Sequence, residues 1–216
     1  MAQLCGIFRE RRQLNEAGGL QAPRTASWSD CASLTSMTAA AVPKKRWTVE
    51  EYLDMERRSV DKHEYFDGEI FLMAGASYEH NLIVSNLITA LNQALGGKCK
   101  VFPSDMRLLV ASRGLYTYAD VSVLCGEPEL TSEKPPALKN PSLLFEVLSE
   151  SSESYDRGKK FESYRSMNSP TDYVLLAQDR VLAEHYTRQA DGTWVLREVR
   201  AGRSLTFACG EIRIDD

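Results

Sequence analysis

The chain has 216 residues, enough for one domain with a sizeable core or one domain plus a tail. Apolar residues make up 43% and charged residues 26%, an ordinary globular balance. A formal net charge of -4 excludes a strongly basic nucleic-acid binder, so any such role must use a local patch.

Five cysteines (Cys5, Cys31, Cys99, Cys125, Cys209) give an odd count with no CxxC. That fits a reducing, cytoplasmic setting better than a disulfide framework or a structural zinc site. The three histidines, His63, His80 and His185, are not paired at ligand spacing, which excludes an HExxH zinc enzyme. No apolar run approaches the roughly 18 residues of a membrane span, and the N-terminus lacks the apolar core of a secretory signal.

Residues 1–42 are rich in Ala, Ser, Gly and Arg without sustained periodicity, and read as a disordered extension. Recognisable pattern begins near Lys44, which makes Met37 a candidate natural start. The domain proper is then 43–216. Thr48 and Glu51 have capping-box spacing and open a helix through Arg57. Asp67-Gly68 predicts a hairpin turn in HEYFDGEIFLMAG, with Glu64 on its first strand.

SYEHNLIVSNLITALNQALGG predicts an amphipathic helix, capped by Ser77, ended by Gly96, with Ile83, Leu87, Ala90, Leu91 and Ala94 inward. CKVFPSDMRLLVA reads as one strand containing Asp105 and Arg107. YTYADVSVLC reads as a second, with Asp120 near its beginning, and LLFEVLS as a third. Asp156 is placed as the cap of a helix over DRGKKFESYRSM, which stops before Pro170. DYVLLAQD is a fourth strand, and Asp191-Gly192 turns a last hairpin. The pattern is a mixed α/β domain with a central sheet and helices on its faces.

Asp120 and Glu146 are carboxylates set in apolar strands. Alternation puts Tyr118, Asp120 and Ser122 on one face, and Leu144, Glu146 and Leu148 on one face. If the strands are neighbours the carboxylates converge. Two unit charges about 4 Å apart repel by about 4 kcal/mol at an effective dielectric of ~20, which calls for a proton or a cation. A hard ion such as Mg²⁺ fits one or two carboxylates plus water and phosphate. Asp156, Lys160 and Tyr164 share one face of the following helix, from which Lys160 could reach the carboxylates.

YADVSVL, LLFEVLS and YDRGKKFESY, in this order and spacing, resemble the Uma-type restriction endonucleases of the PD-(D/E)XK nuclease superfamily. HEYFDGEIFLMAG, EHNLIVSNL and PSDMRL match further blocks, so the resemblance runs from about residue 45 to the C-terminus. It implies a restriction-endonuclease-like αβββαβ core with a mixed central sheet flanked by helices and added N- and C-terminal β-hairpins. It also implies a Mg²⁺ or Mn²⁺ site, DNA as substrate and phosphodiester hydrolysis. Asp120 takes the place of the motif's aspartate and Glu146 that of its second carboxylate. The lysine expected two residues later is replaced by Leu148, and Lys160 is the substitute from the next helix. Ala119 stands where the motif has proline.

The resemblance makes Asp120, Glu146 and Lys160 the catalytic candidates, with Asp120, Glu146 and Glu64 as metal ligands. His80, Asp105, Asp156 and Tyr164 are accessory candidates; Arg107, Arg157 and Lys159, with Arg113 and Arg165, are backbone-contact candidates for DNA. Each has a plainer alternative. Glu146 could pair with Lys160 or Arg107, Asp120 could face solvent, and Asp105 could pair locally with Arg107. His80 could be a satisfied helix-start residue, Tyr164 packing, and the basic residues a solvated face. The rival function is a catalytically inactive nuclease-fold module that binds nucleic acid or a protein partner. No membrane and no small-molecule cofactor are expected. Oligomeric state is open, a homodimer being the arrangement by which a small domain cuts both strands.

Overall fold

The computed structural model describes residues 45–73 and 75–214. The expectations for residues 1–42, including Met37 as a start, fall outside them.

Helix α1 (Val49–Arg58) begins with both arms of the capping box formed: Thr48 Oγ1 accepts from the Glu51 amide at 3.1 Å, and Glu51 Oε2 accepts from the Thr48 amide at 2.9 Å. Acidic Glu50 and Glu51 sit in its first turn and Arg57 and Arg58 in its last, matching the helix dipole. Strands β1 (His63–Phe66) and β2 (Glu69–Leu72) form the expected hairpin, with Asp67 and Gly68 both at positive φ (47° and 79°).

Helix α2 (Tyr78–Leu95) is capped by Ser77, whose hydroxyl accepts from the His80 amide, and ends at left-handed Gly96. Its inward face runs through Val84, Leu87, Ile88, Leu91 and Leu95. Ile83 is only half-buried and Ala94 is exposed, so the stripe lies about one position from the expected one.

Two stretches expected as single strands are each broken. The first gives β3 (Cys99–Pro103) and β4 (Arg107–Val110), with Asp105 in the turn between them. The second gives β5 (Leu115–Tyr118) and β6 (Val121–Cys125), separated by Ala119 and Asp120. Each break carries the chain between sheets. β2-β1-β5-β4 form a four-stranded sheet; β7 (Leu143–Val147), β8 (Asp172–Leu176), β9 (Leu182–Arg188) and β10 (Trp194–Arg200) join β3 and β6 in a six-stranded one, in the order β10-β9-β8-β7-β6-β3. A single face shared by Tyr118, Asp120 and Ser122 therefore does not exist: Asp120 sits at the crossing point.

β7 (Leu143–Val147) lies inside the larger sheet and is buried at all five positions, the continuous apolar run of a strand covered on both faces. It runs parallel to β8 (Asp172–Leu176) and antiparallel to β6. Leu143 and Phe145 pack towards α2 with Val121, Val123 and Val174. Leu144 and Leu148 pack towards the third helix with Phe161, Tyr164 and Tyr173.

That third helix, α3 (residues 153–165), opens as Glu153–Tyr155, widens into a π-helical turn at Asp156–Lys160 and closes as Phe161–Arg165. Asp156 is thus a buried interior residue and not the helix cap; Ser152 precedes the first turn without a side-chain cap. β9 (Leu182–Arg188) and β10 (Trp194–Arg200) turn at Asp191-Gly192 as expected. A further hairpin, β11 (Arg203–Phe207) and β12 (Gly210–Ile214), adds Leu205, Phe207 and Ile212 to the α2-side core.

Cys99 and Cys125, directly opposite on β3 and β6, are joined by a disulfide. This corrects the expectation that the odd cysteine count argues against disulfides: antiparallel register brings together residues 26 positions apart. Among the described residues no helix is long and apolar enough to cross a membrane.

Candidate active site

Glu146 shares a face of β7 with Leu144 and so projects to the α3 side of the sheet. Lys160, from the π-helical turn, meets it there: Nζ lies 3.0 Å from Glu146 Oε2, 3.6 Å from Asp156 Oδ1 and 4.0 Å from Glu64 Oε1. Tyr164 donates to Glu146 Oε1 at 3.1 Å. Glu64 arrives from β1 in the other sheet and is held by two hydroxyls: Tyr155 donates to Oε2 at 2.7 Å, and Thr117 makes a short bond to Oε1.

β6 and β7 stop pairing at Val121 and Phe145, and Asp120 continues their connection by side chain. Its Oδ2 accepts from the Val147 amide at 2.7 Å, while its own amide donates to Glu146 Oε2 at 3.3 Å. His80, at the start of α2, places Nε2 3.1 Å from the same Oδ2. The structure thus gathers Glu64, His80, Asp120, Glu146, Asp156, Lys160 and Tyr164 from both sheets and two helices.

Charge is unbalanced here. Glu64, Asp120, Glu146 and Asp156 are four carboxyl groups around one buried ammonium. Burial pushes the Glu146 carboxyl well above the usual carboxylate range; Lys160 opposes this, and Asp120 and Asp156 add to it. Burial likewise raises Asp156, against the pull of Lys160. On Lys160 burial acts downward, but Glu146, Asp156 and Glu64 together outweigh it and hold the ammonium charged. On Asp120 burial acts upward. The His80 hydrogen bond, the Lys160 charge and the Val147 amide overcome it and hold that carboxyl below its usual value. The bond to Asp120 raises His80 in turn.

The remaining candidates lie elsewhere. Asp105 is exposed and pairs with Lys62 at 2.6 Å, not with Arg107. Arg107 is buried, donates to the Pro135 carbonyl at 2.5 Å and stacks on Tyr116. Arg157 is bound by Glu153 and Glu184, and Arg113 by Glu162; Arg165 lies over Phe161, and Lys159 is exposed. Tyr155 and Thr117 were missed from sequence. Tyr155 directly precedes a candidate carboxylate, but even helical spacing sets it on another face from Tyr164. Thr117 gives no signal until β1 is known to pair with β5.

The donor set suits a hard cation: carboxylate oxygens, with Asp120 directing both its bonds to Oδ2, so that among the described residues Oδ1 accepts none. No three of these carboxylate or imidazole ligand atoms lie within 4.8 Å of one another among the described residues. Lys160 instead stands between the carboxylates.

The family model described as "Uma2: Putative restriction endonuclease" matches residues 49–209. Two uncharacterized proteins of Synechocystis sp. (strain PCC 6803) are similar in sequence. One, sll1609, is 39% identical over 153 residues, covering 70% of this chain and 86% of the relative. The other, slr1290, is 37% identical over 166 residues, covering 76% and 86%. A solved structure from Anabaena variabilis, described as "a putative nuclease belonging to DUF820", superposes with a TM-score of 0.58 at 16% identity, over 73% of this chain and 87% of that one, and shows the same fold. The chain, whose restriction-endonuclease-like sheet carries this carboxylate–lysine cluster, belongs to the Uma2 family.

Proposed function

We propose that the protein is a divalent-metal-dependent endonuclease that hydrolyses DNA phosphodiester bonds, with Asp120, Glu146 and Lys160 as its catalytic residues. The observation that carries this reading is the 3.0 Å approach of Lys160 to Glu146. That approach supports a reading in which a lysine displaced onto the next helix stands in for the motif's strand lysine. Asp120 and Glu146, with Glu64 beside them, would hold Mg²⁺ or Mn²⁺. When bound, such an ion lowers the pKa of a coordinated water and offsets charge building on the phosphoryl group.

The chain's own groups supply the rest. Lys160 turns its ammonium from Glu146 towards the attacking water or the phosphate oxygens. His80 holds Asp120 from one side and can carry a proton at Nε2. Tyr164 and Tyr155 fix the Glu146 and Glu64 carboxylates by hydrogen bonds. Asp156 remains as partner to the ammonium.

The test is incubation of the purified protein with supercoiled, linear and single-stranded DNA in Mg²⁺, Mn²⁺ or EDTA, beside Glu146→Ala. Metal-dependent nicking lost in the variant is the expected result. A Glu146→Ala protein that cuts as well as wild type ends the proposal.

One observation favours the inactive binding module. Glu146 and Lys160 are only 2% and 4% exposed, so a phosphate reaches them only after neighbouring groups move. Salt-dependent DNA binding without cleavage in either metal would establish that reading.

A further inference from the structure

The six-stranded sheet carries a second cluster of ligand-type side chains at the end opposite Glu146. Cys99 opens β3, Cys125 closes β6, and Cys209 lies in the turn from β11 to β12. All three pack against the α2-side core. Their sulfurs lie within 4.8 Å of one another.

The third sulfur is held there by packing. A Cβ added to the adjacent Gly210 would stand 3.0 Å from Leu95 Cδ2 and 3.3 Å from the Ala94 carbonyl oxygen. That turn therefore sits tightly on the C-terminal end of α2. Cys209 cannot drift far from the disulfide while the hairpin stays docked.

We propose that, when the Cys99–Cys125 disulfide is reduced, Cys99, Cys125 and Cys209 form a thiolate site for Zn²⁺, with water as the fourth ligand. Zinc–sulfur bonds of about 2.3 Å place tetrahedral sulfurs about 3.8 Å apart. Opening the disulfide and small side-chain rotations bring three sulfurs already within 4.8 Å to that spacing. Sulfur selects a soft or borderline ion, whereas the Asp120–Glu146 end offers only hard oxygen and imidazole donors.

The chemistry balances in two steps. A thiol reductant supplies two electrons and two protons, breaking one S–S bond and itself becoming oxidised. Zn²⁺ then displaces three protons from three thiols. Because uptake releases protons, it strengthens as pH rises.

Full-length protein carrying Cys5→Ser and Cys31→Ser leaves these three cysteines alone. It is prepared oxidised, or reduced with a phosphine that does not itself bind zinc. Bound zinc is measured by elemental analysis after dialysis, and Co²⁺ titration reads the thiolate-to-metal charge-transfer band. The expected result is about one zinc more per reduced chain than per oxidised chain, and a strong band in the reduced protein only. Cys209→Ala should weaken uptake by more than the roughly 10–100-fold that loss of an outer partner costs. Reduced protein with no charge-transfer band, or zinc uptake unchanged in Cys209→Ala, overturns the proposal. Occupation of the carboxylates alone gives no such band and counts against it.

Discussion

The two ends of the central sheet bury polar groups in opposite ways. At one end Asp172 and His185 match one to one: His185 Nε2 lies 2.7 Å from Asp172 Oδ1, and Thr171 donates to Oδ2 at 2.7 Å. At the other, four carboxyl groups share one ammonium, and burial drives Glu146 and Asp156 away from their ordinary ionisation. A closed pair holds a fold together. A surplus of buried negative charge costs stability and has a use only if a cation or a reacting group relieves it.

The largest test of that contrast removes the ammonium. Lys160→Met leaves Glu146, Asp156 and Glu64 buried without their cation and should cost about 3–5 kcal/mol in urea unfolding at neutral pH in EDTA. A loss below about 1 kcal/mol would mean that the carboxyls are already protonated and that charge does not organise this end. Asp172→Asn breaks the closed pair. It should cost about 1–3 kcal/mol, since His185 loses its charged partner, and leave any Mg²⁺-induced rise in melting temperature unchanged. An altered response to Mg²⁺ would join the two ends that the contrast separates.

The smallest effect is a slope. Glu146 and Asp156 bind protons more tightly folded than unfolded, so stability in EDTA should fall as pH rises from the ordinary carboxylate range through their raised values. His80, also raised, adds stability that is present below its unfolded value and is lost as pH climbs through its folded one. Asp120, held low, acts the other way, its contribution disappearing only in acid. Saturating Mg²⁺ should oppose the fall, because the ion competes with the proton for the same oxygens. Melting curves across pH, with and without Mg²⁺, check this. Parallel slopes would place the ion elsewhere.

The local devices were readable from sequence because each depends on neighbours in the chain. Thr48–Glu51, Asp67-Gly68, Ser77, Gly96 and Asp191-Gly192 all act where expected. The breaks at Ser104–Met106 and Ala119–Asp120 were not, since neither has a glycine and both are set by which sheet each half joins. Glu146 stood out as a charge in an apolar run, and Lys160 could be placed on the correct helix. That Lys160 touches Glu146, that Asp120 bridges two strand ends, and that Tyr155 holds Glu64 depend on packing between distant segments. The same holds for Cys99 and Cys125, whose pairing appears only once β3 and β6 are in register.

The π-helical turn of α3 settles which of its residues can act together. In a uniform α-helix, nine residues are two and a half turns, so Tyr155 and Tyr164 would point about 180° apart. The wide turn at Asp156–Lys160 absorbs one extra residue and removes about 100° of that rotation. Both phenols can then lean to the same side, one on Glu64 and the other on Glu146, although those carboxylates belong to different sheets. Rewinding the turn to even pitch with all its residues retained would leave Tyr164 in place and swing Tyr155 and Asp156 about 100° out of phase, whereas deleting Gly158 would keep them aligned. Glu64 would lose its Tyr155 partner and Lys160 its Asp156 partner without the loss of a single side chain.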